Sequence, residues 1–362
     1  MLAYHVITDG EIGGATVLLS HLLPALKKQG VSSVVLLPQE SKAVSFLRKA
    51  NISLHFIGST DTSFSCRDTL ALLRFFRQHP PDAVVSHGSL SAKPAARLAR
   101  LPVMGVKHCD LPVRHAWLYR ALTDVTVATS LPCARHLHGA GIRPVACVEN
   151  GFAPIGIPTA EERRTARAAF GLSEATVAIG LCGRLAPVKG QETAIRALSL
   201  LRKEAKDIRL LLLGEGTDEA RLKLLCANLR VADAVEFLGF SADTTTFYHA
   251  LDVHLSCSLA SETSSLSLAE GMSAALPTVA SDTEGNRTRV GDGGLLYPVG
   301  DATALAACLH SLWKAETRQS VGAAAHARAA LLPDFDEAAH QYAHLLFSLC
   351  DKKRKKKKTV AF

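Results

Sequence analysis

Short runs of β-branched and leucine residues alternate with longer alanine-rich stretches whose apolar positions recur every three to four residues. Strands feeding crossover helices in a parallel sheet produce that alternation. The pattern predicts strands at 4–8, 33–38, 54–57, 83–86, 103–107, 125–128 and 145–149. A second series is predicted at 177–182, 208–213, 235–238, 253–256, 278–280 and 295–297. Several of these runs are apolar throughout, as strands covered on both faces must be.

Between the two series the chain turns to proline, glycine and charge (GFAPIGIPTAEERR). The expected organisation is therefore a first domain at 1–155, a linker at 156–170 and a second domain at 171–333. A helix at 334–350 is expected to pack back toward the first domain, followed by a disordered basic tail at 351–362. The 362 residues exceed the usual size at which one hydrophobic core divides into two. Open parallel sheets bind ligands beyond the carboxyl ends of their strands, and two such units facing each other would frame a cleft there.

The formal charge of +8 changes the picture less than it first suggests. The run KKRKKKK, which opens at Lys352 and closes at Lys358, carries seven of the 41 basic residues, leaving 34 against 33 acidic ones. A nearly neutral body argues against a long basic groove, so no nucleic-acid partner is expected. Beside the apolar stretch AAHQYAHLLFSLC, the run could instead rest on an anionic membrane surface or serve only as a solubilising end. No stretch reaches the eighteen or so apolar residues of a spanning helix, and the opening MLAYHVITDG lacks a secretory pattern. The nine cysteines are scattered, with no CxxC pair. A cytoplasmic location is the expectation, with peripheral attachment through the basic run. His340 and His344, one helical turn apart without a third ligand, read as packing residues, and no metal site is expected.

Three fragments carry candidate chemistry. The first strand leads into Gly10-Glu11-Ile12-Gly13-Gly14-Ala15 and a helical run. Glycines there let a backbone approach an anion at a helix start, although the same loop also serves as a plain strand-to-helix turn. Its spacing misses the dinucleotide fingerprint.

The second series opens with Gly183-Arg184-Leu185-Ala186-Pro187-Val188-Lys189-Gly190 directly after VAIGLC. A guanidinium and an ammonium five residues apart on one strand-end loop suit a diphosphate, the alternative being a solvated surface pair. The third fragment is SLASETSSLSLAEGM. In it Thr263, Ser264 or Ser265 can cap a helix beginning near Leu266, Glu262 stands on the loop before it, and Glu270 stands inside it. Ionised carboxylates accept hydroxyl pairs from sugars, yet each alone would equally serve as a solvated helix charge.

Taken in order, the GGA loop, GRLAPVKG, LLLLGEGTDEARL and SETSSLSLAEGMSAALPTVASD resemble the retaining glycosyltransferases typified by glycogen synthases, sucrose synthases and bacterial cell-surface mannosyl- and glucosyltransferases. The likeness runs to about residue 349 and is sharpest over 183–298, where Glu262 and Glu270 reproduce the family's glutamate pair with seven residues between. It implies an α/β fold of two Rossmann-like doubly wound parallel-sheet domains facing a central cleft, the GT-B architecture. It also implies that Arg184 and Lys189 bind the diphosphate of a UDP- or GDP-sugar, Glu270 the ribose and Glu262 the sugar hydroxyls. Backbone amides of Thr263, Ser264, Ser265 and Leu266 would complete a phosphate cradle, with Gly183 on the loop and Gly13 and Gly14 facing the donor. His108, in VMGVKHCD, matches a histidine near the reacting sugar, and His87 also ends a strand. The acceptor would be a glycan or a lipid-linked hydroxyl, with no metal required.

Three positions depart from the family pattern: Thr263 and Ser264 replace a glycine and an aromatic, and Thr288 stands where a glutamate is usual. They leave the choice of sugar open, and a degenerate sugar-binding member would fit them as well. A nucleotide-dependent oxidoreductase or a sugar-nucleotide epimerase shares the coarse βα pattern.

Overall fold

The computed structural model describes residues 1–8, 12–58, 64–108, 113, 116–202, 207–260 and 262–359, with side chains as far as Lys353. Gly10, Glu11, Cys109 and Ser261 lie outside the described residues. The chain forms two compact units, Met1–Gly151 with Pro333–Phe362, and Phe152–Leu332.

In the first unit the strands are β1 (Leu2–Ile7), β2 (Ser32–Pro38), β3 (Ser53–Ile57), β4 (Ala83–His87), β5 (Val103–Lys107), β6 (Val125–Ala128) and β7 (Val145–Cys147). They form one parallel sheet in the order β3-β2-β1-β4-β5-β6-β7. The reversal of strand order beside β1 is the doubly wound signature. One face is covered by helices Gly14–Lys28 and Phe335–Thr359, which bury Leu22, Leu26, Tyr342 and Leu346 with Val35 and Val85. The other face is covered by helices Cys66–Gln78 and Ala92–Leu98 over Tyr4, Val6 and Leu36. Burying a leucine completely contributes about 2 kcal/mol, so these paired faces carry most of the unit's stability.

The second unit contains β8 (Val177–Cys182), β9 (Ile208–Leu213), β10 (Val235–Gly239), β11 (Val253–Ser256), β12 (Thr278–Ser281) and β13 (Leu295–Tyr297). Their order is β10-β9-β8-β11-β12-β13, again all parallel. The order again reverses beside β8, which places the carboxyl ends of β8 and β11 side by side.

Two stretches differ from the sequence expectation. Residues 156–170 were expected to be a linker, but helix Ala160–Ala169 occupies most of them and belongs to the second unit. Thr159 and Glu162 close a capping box, and buried Arg167 donates to Asp252 at 2.9 Å and to the carbonyl oxygen of Thr176 at 2.6 Å. Composition alone hid this, because an AEERR run reads as polar whether it is loop or capped helix. The last helix also continues through the basic run to Thr359 instead of giving way to disorder at 351. Extending a packed helix by one residue is far easier than starting one, Lys and Arg are good helix formers, and cations suit a helix C-terminus.

Among the described residues no helix is long and apolar enough to cross a membrane. His340 and His344 are both exposed on the terminal helix, contrary to the packing role expected of them.

Candidate functional site

The loop after β8 is fixed on both sides by backbone contacts that require glycine. Gly183 donates its N–H to the Leu213 carbonyl at 2.8 Å and Leu185 donates to that of Glu215 at 2.9 Å. A Cβ at Gly214 would lie 2.2 Å from the Gly183 oxygen, and one at Gly216 2.0 Å from that of Leu185. The loop ends in a 3-10 turn, Pro187–Lys189, stopped by Gly190 at φ +66°. There a Cβ would stand 2.0 Å from the Cys257 carbonyl oxygen, and Leu259 donates to Val188 at 2.8 Å. GRLAPVKG is thus a clamped segment, and its clamp sets where Lys189 points.

Lys189 forms an ion pair with Glu262. The Glu262 carboxylate is buried, and its Oε1 also accepts from Ser258 Oγ at 3.1 Å. Ser258 is in turn held by Ser281, whose hydroxyl donates to its carbonyl at 2.6 Å, while Asn286 Nδ2 donates to the Ser281 carbonyl at 3.0 Å. Lys189, Ser256, Ser258, Glu262, Ser265 and Ser267 line a small pocket at the carboxyl ends of β8 and β11. Both an ammonium and a carboxylate therefore face one small polar space, where charge interactions exceed those at an open surface.

Ser265 is the residue that caps the following helix, Leu266–Ser273, its hydroxyl accepting from the Leu268 N–H at 3.4 Å. Thr263 and Ser264 are buried beside Glu262. Glu270 stands within that helix, 2.9 Å from the Tyr248 hydroxyl that donates to it. Burial pushes its carboxyl up from the usual range, and the Tyr248 bond and the Arg289 cation hold it partly down. Cys182, at the end of β8, is pushed up to about 12 by burial and then by the Glu270 charge, and so remains a thiol.

Of the residues singled out by sequence, Lys189, Glu262 and Ser265 meet around this cavity, and Glu270 stands behind it with Tyr248. Arg184 is exposed on the same loop, its backbone oxygen accepting from Gln191 Nε2 at 2.9 Å, and its guanidinium does not line the cavity. Thr288 bonds back to the Glu284 carbonyl on its own helix at 2.8 Å. In the first unit Gly13 is the N-cap of helix Gly14–Lys28, and among the described residues a Cβ at Gly13 or Gly14 would meet open space. His108 follows β5 with its Nε2 2.8 Å from His87 Nδ1. Tyr248 escaped sequence reasoning: no spacing links it to the glutamate it supports.

Comparisons with known proteins point the same way. Residues 176–315 match the family described as Glycosyl transferases group 1, and residues 12–154 the one described as Glycosyltransferase Family 4. A phosphatidyl-myo-inositol mannosyltransferase of Mycobacterium leprae is 31% identical over 159 residues, 43% of this chain and 42% of that protein. A lipopolysaccharide core biosynthesis glycosyltransferase of Rhizobium meliloti, LpsE, is 25% identical over 320 residues, 84% of this chain and 86% of that one. For the first two curated relatives the match spans only 33% and 42% of their length. The crystal structure of Anabaena HepE in complex with UDP-glucose superposes with a TM-score of 0.84 at 21% identity, covering 96% of this chain and 100% of that one.

Proposed function

We propose that this chain, which belongs to the group 1 glycosyltransferases and has their two-sheet GT-B architecture, is a retaining enzyme that moves a hexose from a UDP- or GDP-sugar to a hydroxyl of a cell-surface glycan or glycolipid. The observation that carries this is the meeting of Lys189 and Glu262 in one polar cavity, at the strand ends where such a sheet takes its ligand. The similar HepE structure holds UDP-glucose, which makes a uridine donor the first to test.

In this reading Lys189 and the exposed Arg184 take the donor diphosphate, which competes with Glu262 for the ammonium. Freed from the ion pair, Glu262 accepts hydrogen bonds from sugar hydroxyls, Glu270 holds the ribose, and the amides of Thr263, Ser264, Ser265 and Leu266 face the phosphates. The bond from the acceptor oxygen to the anomeric carbon forms on the face that the phosphate leaves, which keeps the configuration. A phosphate oxygen takes the acceptor's proton, so the protein's main contribution is to stabilise the departing charge. Two side-chain cations suit that task without a metal ion. The helical basic run from Lys352 to Lys358 would add attraction to anionic lipid of roughly 1 kcal/mol per charge near the surface.

Incubation with UDP-glucose, UDP-galactose, UDP-N-acetylglucosamine and GDP-mannose, with release of the nucleotide followed by chromatography, tests the reading. Turnover of one donor and its loss in Arg184→Ala and Lys189→Ala are expected, and an α-configured product from an α-donor identifies retention. Undiminished transfer in both variants overturns the residue assignment.

A further inference from the structure

The first unit holds a cavity of its own, of about 150 Å³. Part of its lining comes from the carboxyl ends of three strands: Ile57 closes β3, Thr8 follows β1, and Ser89 and Ser91 follow β4. The ends of β1, β2 and β3 are level, since Val6 pairs with Leu36 and Pro38 with Ile57. Helix Cys66–Gln78 adds a wall that includes Asp68, Ala71 and Phe75. A doubly wound sheet takes ligands at that edge, and no residue assigned to the donor lines this cavity.

The wall is held in place before any ligand arrives. Ser91 Oγ accepts from the Ser65 N–H at 3.0 Å, and Thr69 Oγ1 donates to the Ser65 carbonyl at 2.8 Å. Ser65 in turn caps the helix by accepting from the Asp68 N–H at 3.2 Å. The first helical turn is thereby pinned to the loop after β4. The Asp68 carboxylate lies against Gly58, where a Cβ would stand 3.2 Å from Oδ1. Among the described residues that carboxylate takes part in no ion pair or hydrogen bond. On the aromatic side His55 stacks on Phe75 with centroids 3.9 Å apart, and Phe75 stacks on Tyr4 at 5.5 Å. Burial and then His79 hold the His55 imidazole below its usual value, so the ring is largely uncharged at pH 7.

Size and chemistry select the ligand. A cavity of this volume takes one six-membered ring. Asp68 offers two acceptor oxygens, and Ser89, whose Oγ accepts from the Ala92 N–H at 3.2 Å, keeps its own proton to donate. Ala71 and Phe75 add an apolar flank. Among the described residues no lysine or arginine lines the cavity, so a phosphate would meet Asp68 with no cation to offset it. A purely apolar ring would strip water from the carboxylate and return no bond. We propose that this cavity is an acceptor subsite that takes an uncharged hexose ring, with hydroxyls donating to Asp68, in preference to a phosphorylated one. This rests on the transferase reading, which gives the donor to the second unit and leaves this strand edge for the acceptor.

Saturation-transfer NMR on the full chain, with and without UDP, tests this with glucose, mannose, galactose and their 6-phosphates as probes. At least one free hexose should bind, and about tenfold more tightly than its own 6-phosphate. Asp68→Asn, which keeps the shape and removes the charge, should weaken that hexose about tenfold. Ala71→Trp, at an exposed helical position that lines the cavity, should fill the space and abolish binding. Melting temperatures establish that both variants are folded. Tighter binding of a 6-phosphate than of its hexose, or no hexose bound by the unaltered chain in either condition, overturns the proposal. Binding unchanged in both variants would place the hexose elsewhere and overturn it too. Should no nucleotide sugar be turned over, the transferase reading fails, and these binding measurements still decide which ring the cavity takes.

Discussion

The Cβ that Gly285 lacks would stand 1.8 Å from the carbonyl oxygen of Glu262. The loop carrying the first glutamate thus rests directly on the first turn of the helix Glu284–Val290. Gly285→Ala must push the two apart, at a cost of about 1 to 3 kcal/mol for overpacking. A lowered melting temperature, together with weaker binding of UDP or UDP-glucose by calorimetry, is expected. Unchanged binding would mean that the position of the Glu262 backbone is unimportant for the donor.

The Lys189–Glu262 pair separates stability from chemistry. Lys189→Met leaves a buried carboxylate without its cation, which costs up to about 3 to 5 kcal/mol when a pair is fully buried and less here, with the Lys189 side chain 31% exposed. Adding Glu262→Gln should recover much of that loss, because an uncharged amide no longer needs the ammonium. Turnover should stay absent in the double variant. Chemical denaturation of the two single variants and the double variant checks this, and the coupling is read from the cycle.

The tyrosine behind the site makes a prediction about a single proton. Tyr248 donates to Glu270 at 2.9 Å and lowers a carboxyl that burial raises. Tyr248→Phe removes the bond, so the Glu270 titration should move further up, with a stability loss on the order of 1 kcal/mol. Carboxyl ¹³C shifts followed against pH report the direction. A downward movement would mean that Glu270 finds a better donor elsewhere.

How far the sequence could be read follows from what each feature depends on. All thirteen strands of the described chain lie where apolar runs predicted them, with ends moved by at most two residues, because strands covered on both faces carry their signal in composition. The GRLAPVKG and SETSSLSLAEG loops were legible through glycine, charge and capping residues at fixed spacing. The supports were not: Tyr248 reaches Glu270, and Ser281 reaches Ser258, only through the folded packing of their elements. The hydrogen-bonded histidine line, from Ser33 through His5 and His87 to His108, depends on register between residues 21 to 82 apart in the chain, which no local pattern records. Helix Ala160–Ala169 is the opposite case, since Thr159 and Glu162 did carry a capping-box signal that the surrounding polar composition outweighed.

The same histidines set the behaviour of the chain in acid. His5 and His108 are held down to about 3 and about 4 in the folded state, whereas an unfolded chain titrates them near 6.5. Between those values the unfolded state binds more protons, so stability rises with pH across that window and falls as pH drops from about 6.5 toward 4. Glu270 acts in the opposite sense: its raised carboxyl favours the folded state when protonated, and that contribution fades as pH rises through its folded value. His87 is held well below the usual imidazole value as well, so three buried histidines against one carboxyl should leave a net loss of stability on acidification. Melting temperatures measured from pH 7.5 to 4.5 should decline, and the slope should be shallower in His5→Gln, which removes one of the groups that must be protonated. Equal slopes in the variant and the unaltered chain would show that His5 is already charged in the folded protein, and the neutral line across the sheet would fall with it.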